Sequence, residues 1–345
     1  MRRGRSTVGV LAVGIAAAAA ISATAATTAP VTVGLVSDIG RFNDQGFNQS
    51  ALDGVKKAKK DLGVAYTAIE SKQPSNYIKN LKTVAQAKSS VTIGVGFAMA
   101  DAIDKIARKY PKQNFAIVDY SAAALPSNTP PPNGKGKVGT VKNVRGLVFS
   151  TNENSYLIGY MAAKMAKAKG SDTISAVGGL PFPSVTIFMA GYQAGAKAAN
   201  PDAKVIIEYS NDFVDQAKCK EKALSQIEQG SQVVFQVAGG CGLGSLDAAK
   251  EKGVWGVGVD KDQSFLGAHI LTSAVKRVDT AVFDSAKDAK AGKFKGGDKL
   301  YTLKNGGVAL GKISDQVPAA LKTEVDGLKA KIIAGTIKVP TEVAK

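Results

Sequence analysis

Three aspartates and a lysine share a placement that gives them chemistry in common. Asp38, Asp119 and Asp260 close the apolar runs VTVGLVSD, NFAIVD and VWGVGVD, and Lys276 follows ILTSAV. Carboxylates facing a dry cleft accept paired hydrogen bonds from the hydroxyl or N–H groups of a small polar molecule, and losing one partner there is costly. A lone aspartate in such a position is most often a turn or cap residue, but four charged residues at equivalent ends argue for more. Phenylalanines add a second ingredient. Phe42 and Phe47 fall in the polar stretch 37–48, and Phe213 falls in SNDFVDQAK, where a ring without a pocket is unfavourable. One ring from each half of the chain could clamp a flat molecule by stacking. Packing on the helix that follows is the competing fate of Phe47. Phe97 and Met99, after another strand end, are secondary candidates, and Trp255 reads as core.

Other chemistries are excluded by what the chain lacks. His269 is the only histidine, so neither a triad chosen from several histidines nor a multi-histidine metal site can be assembled. It reads as structural. There is no GxxxxGK[ST] phosphate loop, and AGGCGLG lacks the GxGxxG spacing of dinucleotide folds. Its glycines, Gly240 among them, let the backbone approach a ligand closely. The aspartates are spread over different strand ends instead of being clustered for a metal. The expectation is a binding protein, not an enzyme, with no cofactor and no metal.

The elements that must position these residues alternate along the chain. Residues 31–36 are a β-branched apolar run suited to a strand buried on both faces. From residue 49 a helix is expected, with Ala51, Leu52, Val55 and Ala58 on one face and lysines on the other. Strands over 65–70, 91–99 and 114–120 and helices over 77–87 and 100–110 continue the series. Extended chain over 138–150 then leads into a helix at 152–169. A second series has strands at 173–180, 204–210, 232–239, 254–260 and 269–276. Its helices fall at 184–199, 216–229, 243–252 and 279–291, and a tail over 300–314 with a last helix at 319–334 returns across both halves. The proline- and glycine-rich segment 124–139 reads as an irregular surface loop.

Such alternation predicts parallel sheets covered on both faces. Ligands of these sheets bind at the carboxyl edge, beside the free N–H groups of helix starts. The fold class is α/β, with two doubly wound parallel-sheet lobes joined by crossing strands, an arrangement that resembles a type I periplasmic binding protein. Crossings are expected near Gly146, Ser273 and Gly311. They make one lobe of residues 31–146 plus about 274–310, and another of 147–273 plus about 311–345.

The first thirty residues read as a leader. Arg2, Arg3 and Arg5 precede an apolar core over 8–21, and Ala23 and Ala25 form an A-x-A site, so a signal peptide of residues 1–25 is cleaved near Ala25 or Ala26. The apolar stretch falls short of the roughly 20 residues of a spanning helix. Export to the periplasm or cell exterior is expected, with no lipidation cysteine and no membrane span after cleavage. About 320 residues then remain, more than one compact core usually holds.

Composition fits a folded protein, with 45% hydrophobic residues and a mean hydropathy of −0.01. The formal charge of +17 becomes +14 without the three leader arginines, and it is mostly lysine, as in VKKAKKDLG and AKDAKAGKFKGGDK. A nucleic-acid face would interleave arginines with aromatics, whereas aromatics here are only 6%. A solvated basic surface is expected, able to attract anionic partners. Cys219 and Cys241 are the only cysteines, one early in a helix and one just after the next strand. In an exported chain a bridge between adjacent elements of one αβ unit is expected, two separate buried thiols being the alternative.

The opening motif SDIGRFNDQGFNQSALDG resembles that of the basic membrane protein (Bmp, PnrA-like) family of solute-binding proteins, whose nucleoside-binding members serve ABC importers. The resemblance continues in NFAIVDYSA, KNVRGLVFSTNENSYLIGYMAAKMA, DFVDQAKCKEKALSQIEQGSQVVFQVAGGCGLG, GVWGVGVDKDQ and LTSAVKRVDTAV, in the family's order and over essentially the whole mature chain. It implies a two-lobed protein that closes on a small ligand, first a purine nucleoside, and presents it to an ABC-transporter permease. It also implies roles for individual residues. Phe47 and Phe213 stack on the base, Phe42, Asn43, Asp44 and Asn48 supply further loop contacts, Asp119 and Gly240 lie near the ligand, and Asp260 and Lys276 form a sugar-side pair. Gly46 departs from the family, many of whose members carry serine there, which bears on the loop contacts. A sugar or other polar metabolite in the same fold is the nearest rival. A ligand sensor would need a DNA-binding headpiece where this chain has a leader, and a nucleoside-processing enzyme would turn its ligand over.

Overall fold

The computed structural model describes Met1 and residues 31–128 and 141–344 of the chain. The leader with its cleavage site and most of the loop 124–139 lie outside the described residues. The first half runs β1 (Thr32–Ile39), α1 (Phe47–Leu62), β2 (Ala65–Ser71), α2 (Tyr77–Gln86), β3 (Val91–Val95), α3 (Ala100–Lys109), β4 (Asn114–Val118) and β5 (Val144–Phe149). The second runs α4 (Thr151–Ala168), β6 (Thr173–Gly178), α5 (Pro183–Ala199), β7 (Lys204–Tyr209), α6 (Gln216–Glu228), β8 (Val233–Val237), α7 (Gly242–Glu251), β9 (Trp255–Asp260) and β10 (Ile270–Lys276). A tail adds α8 (Val278–Lys290), β11 (Gly297–Tyr301), β12 (Val308–Leu310) and α9 (Ala319–Ile333).

These elements make two six-stranded sheets of matching order, β11-β5-β4-β3-β1-β2 and β12-β10-β9-β8-β6-β7. Every pair in the first is parallel, and β12 is the antiparallel edge of the second. The β-branched runs explain the burial. Every residue of β3, β8 and β9 is buried, because helices cover both faces of each sheet. α1 turns Ala51, Val55 and Ala58 inward and its lysines outward, and packs beside α8. In each sheet the winding reverses beside the first strand of its half, between β1 and β3 and between β6 and β8. Ligands of doubly wound sheets bind outside the strand ends at such points.

Several expectations shift. Residues 97–99 form a short 3-10 turn and not the end of a strand, because Gly96 at φ 113° breaks the extended chain. All of β5 stays in the first sheet, with Phe149 pairing Tyr301, and β10 stays in the second through Lys276. β12 already pairs with β10 at residues 308–310. The chain therefore leaves the first sheet just after Phe149 and the second just after Lys276, and passes from β11 to β12 between Tyr301 and Val308. Hydrophobic runs mark a strand, but only register shows how far it pairs.

Cys219 of α6 and Cys241 at the start of α7 are bridged, with Cα atoms 5.6 Å apart, and both are fully buried. Trp255 lies in the core, and His269 lies in the turn before β10, against Gly256. Among the described residues no helix is long and apolar enough to cross a membrane.

Candidate functional site

The carboxyl ends of the two sheets face each other across a cavity of about 280 Å³. Its wall takes Asp38 from β1, Phe47 and Asn48 from the first turn of α1, and Asp119 from the end of β4. The other side supplies Phe213 before α6, Gly240 after β8, Asp260 of β9 and Lys276 of β10.

Lys276 is the centre of the polar side. It is 4% exposed, and its Nζ donates to Asp119 Oδ2 at 2.7 Å and lies 3.1 Å from Asp260 Oδ1. The second contact is an ion pair, and Lys276 is the only charged partner of the buried Asp260 Oδ1 among the described residues. Nζ also sits 4.5 Å from the centre of the Phe47 ring, a cation–π contact. Burial by itself would lower the lysine's pKa, but the two carboxylates outweigh it and hold it above the ordinary value. Burial raises both partners despite that attraction, Asp119 above its usual range and Asp260 to about 6. Asp119 and Asp260 both adopt left-handed backbone, φ 64° and 65°, at equivalent strand ends of the two halves. Aspartate tolerates that conformation better than most residues, and strain of this kind gathers at functional sites.

Asp38 has a different balance. Burial raises its pKa to about 8, and the charges of Asp44 and Asp119 add to this, against the Asn48 hydrogen bond and Lys276. Burial thus favours its protonated form, which can donate as well as accept. Its carboxyl packs over Gly96, where a Cβ would run into Oδ2. Asn48 Nδ2 reaches both Asp38 and Asp44 at 3.2 Å. Asn48 is 3% exposed, and its Oδ1 has no hydrogen-bond partner among the described residues.

Comparison with known proteins decides the family. The model of ABC transporter substrate-binding proteins of the PnrA-like type, Bmp, matches residues 31–342. The chain belongs to this family. It is 36% identical over 331 residues to the ABC transporter nucleoside-binding protein BmpA of Lactococcus lactis subsp. cremoris, covering 89% of this chain and 88% of that one. It is 32% identical over 314 residues to basic membrane protein A of Borreliella burgdorferi, covering 90% and 87%. Among solved structures, an ABC transporter solute-binding protein from Aeropyrum pernix superposes with a TM-score of 0.78 at 25% identity, covering 90% of this chain and 94% of that one.

The remaining residues refine the expected site of this substrate-binding protein. Asn43 and Asp44 line the cavity, but both Asp44 oxygens are occupied. Oδ1 accepts from the N–H groups of Gly46 and Gln49 and Oδ2 from that of Asn48, all within 3.0 Å. Asp44 thus caps α1 from two residues upstream, since Gly46 has no side chain to do so. A Cβ on Gly46 would lie 3.8 Å from Asp260 Oδ2, so a serine there would face the polar pair. Phe42 is not on the cavity wall. Its N–H donates to Glu70 at 2.6 Å and its ring packs against the core. Met99 is fully buried in the core of the first lobe.

Phe213 lines the cavity, and its ring covers Gly179, where any Cβ would strike it. Its carbonyl accepts from Cys241 N–H at 3.0 Å, so the disulfide braces the loop that carries the ring. Phe97, Ser184 and Phe188 also line the cavity. Ser184 ends the segment GGLPFPS, which follows the first strand of the second half, and Phe188 lies one helical turn beyond it. That is the position SDIGRFNDQGF holds in the first half, and this placement is the signal that would have found them.

Proposed function

We propose that this substrate-binding protein is exported, closes on a purine nucleoside in the interlobe cavity, and delivers it to the permease of an ABC importer. The observation that carries the reading is the make-up of that cavity. Rings from both lobes, Phe47, Phe97 and Phe213, share it with the buried Asp119–Lys276–Asp260 group and with Asn48. Rings suit a flat base, and buried charged acceptors suit the hydroxyls of a sugar. The cavity is near the lower end of the ~300 Å³ and upward typical of small-molecule sites. The printed name of the Lactococcus lactis relative supports the same ligand class.

If both ends are recognised, affinity requires both halves of the nucleoside. A free base leaves Asp260 and Lys276 without hydroxyl partners, at about 1–3 kcal/mol for each unpaired group. A free sugar forfeits the aromatic burial, several kcal/mol at about 25 cal/mol per Å². By calorimetry, adenosine, guanosine or inosine binds at least about a hundredfold tighter than its base or ribose, roughly 2.7 kcal/mol. Phe213→Ala and Asp260→Ala each weaken binding. Ribose or another monosaccharide binding as tightly as any nucleoside would transfer the protein to the sugar-binding class. Native mass spectrometry of purified protein, with the mass of bound ligand followed over time, separates binding from turnover.

A further inference from the structure

A second cavity of about 330 Å³ adjoins the first and is lined almost wholly by apolar atoms. Tyr120, Ala124 and Phe149 come from the first lobe, and Phe182 and Ile187 from the start of α5. Asp119 and Ser184 belong to both walls. Phe97, on the first cavity, stacks on Phe182, on the second, with centroids 3.9 Å apart and planes 10° apart. The two cavities are thus compartments of one cleft, parted by a pair of rings and two short side chains. Thr151 is 1% exposed, and its Oγ1 and Ser184 Oγ are both buried away from the open space, so they add no polar surface to the wall. The Tyr120 hydroxyl is spent on the Ala124 carbonyl at 3.1 Å. The starts of α4 and α5 reach this compartment, which favours negative charge, but the Asp119 carboxyl on its wall already opposes an anion. Apolar walls suit an uncharged, mostly apolar group.

We propose that the second compartment is a subsite for an uncharged, mostly apolar substituent, such as an alkylthio group, on the ligand in the first cavity. This rests on the nucleoside reading. Asp119 belongs to both walls and is bound to Lys276, so the boundary between the compartments lies at the end assigned to the sugar, and the substituent belongs on the sugar.

Calorimetry with adenosine, 5′-methylthioadenosine and adenosine monophosphate tests it. Methylthioadenosine binds at least as tightly as adenosine, and the monophosphate at least tenfold more weakly. Ala124→Trp, on an exposed turn, and Ile187→Trp each fill the compartment. They reduce methylthioadenosine affinity tenfold or more and leave adenosine within threefold. Weaker binding of methylthioadenosine than of adenosine to the unaltered protein, or equal losses of both in both variants, overturns the subsite. Anisole, followed by saturation-transfer NMR, reads the compartment without a nucleoside. Its signal appears with the unaltered protein and vanishes in both variants. Absence of adenosine binding would remove the nucleoside reading alone, and absence of the anisole signal would remove the subsite alone.

Discussion

Lys276 holds two buried carboxylates that nothing else among the described side chains neutralises. Removing one partner of a buried ion pair costs about 3–5 kcal/mol, because the other charge stays behind without compensation. Lys276→Met is therefore expected to lose about 3 kcal/mol in urea unfolding at pH 8. The loss shrinks at pH 5, where Asp260, raised to about 6, takes up a proton. A pH-independent loss would mean the lysine matters for packing and not for charge. Asp38 gives a second pH dependence. Its folded pKa of about 8 stands above the ordinary 3.8, so between those values the folded state binds more protons than the unfolded chain. Asp38's own contribution to stability is then fully present below about 4 and is lost as pH rises through about 8. Melting temperatures across that range should decline for the ligand-free protein, and Asp38→Asn should flatten the decline.

At the scale of elements, the site depends on loops that are braced, not long. Asp44 ties the turn before α1, so the ring of Phe47 enters the cavity from the first residue of a well-capped helix. In the other lobe Asp212 Oδ1 accepts from the N–H groups of Val214 and Asp215, and Cys241 N–H holds the Phe213 carbonyl. The disulfide joins α6 to the turn carrying Gly240 across a separation of 22 residues, which contributes about 3 kcal/mol in the loop-entropy account. Replacing both cysteines with alanine should lower unfolding free energy by about that amount. It should also weaken ligand binding, because the Phe213 loop loses its brace. Two reactive thiols in denatured, unreduced protein would show that the bridge does not form.

The whole molecule is two lobes with modest contacts across the cleft. Lys261 pairs with Asp53 at 2.6 Å, Gln263 Nε2 donates to the Gln45 carbonyl at 3.1 Å, and Phe97 stacks on Phe182. A partly exposed ion pair contributes about 0–1 kcal/mol and a ring pair about 0.5–1.5 kcal/mol. The Lys276–Asp119 pair offsets its attraction with desolvation. These sums are small beside the binding energy of a ligand held by both lobes, so a ligand can decide between open and closed forms. Small-angle scattering should show a smaller radius of gyration at saturating nucleoside than without it. An unchanged profile would indicate a rigid cleft.

The alternation of β-branched runs with amphipathic helices was enough, by itself, to read two doubly wound halves, because burial on both faces leaves a continuous apolar signature. Charged residues closing those runs, and phenylalanines in polar loops, marked six residues of the cavity wall, Asp38, Asp119, Asp260, Lys276, Phe47 and Phe213, because strand ends converge wherever parallel sheets are wound. Phe42 and Phe47 show the limit. Both are phenylalanines in one polar loop and both pack against the core, yet only Phe47, at the start of α1, also lines the cavity, while Phe42 donates its N–H to Glu70 away from that wall. Asp44 reads like Asp38 in the chain, but its oxygens are consumed by helix N–H groups that exist only once α1 has formed. The crossing points, the pairing of Asp119 with Lys276 over 157 positions, and the wall between the two compartments rest on register and lobe contact. Those are long-range properties that no local pattern of residues carries, and only the tertiary structure decided them.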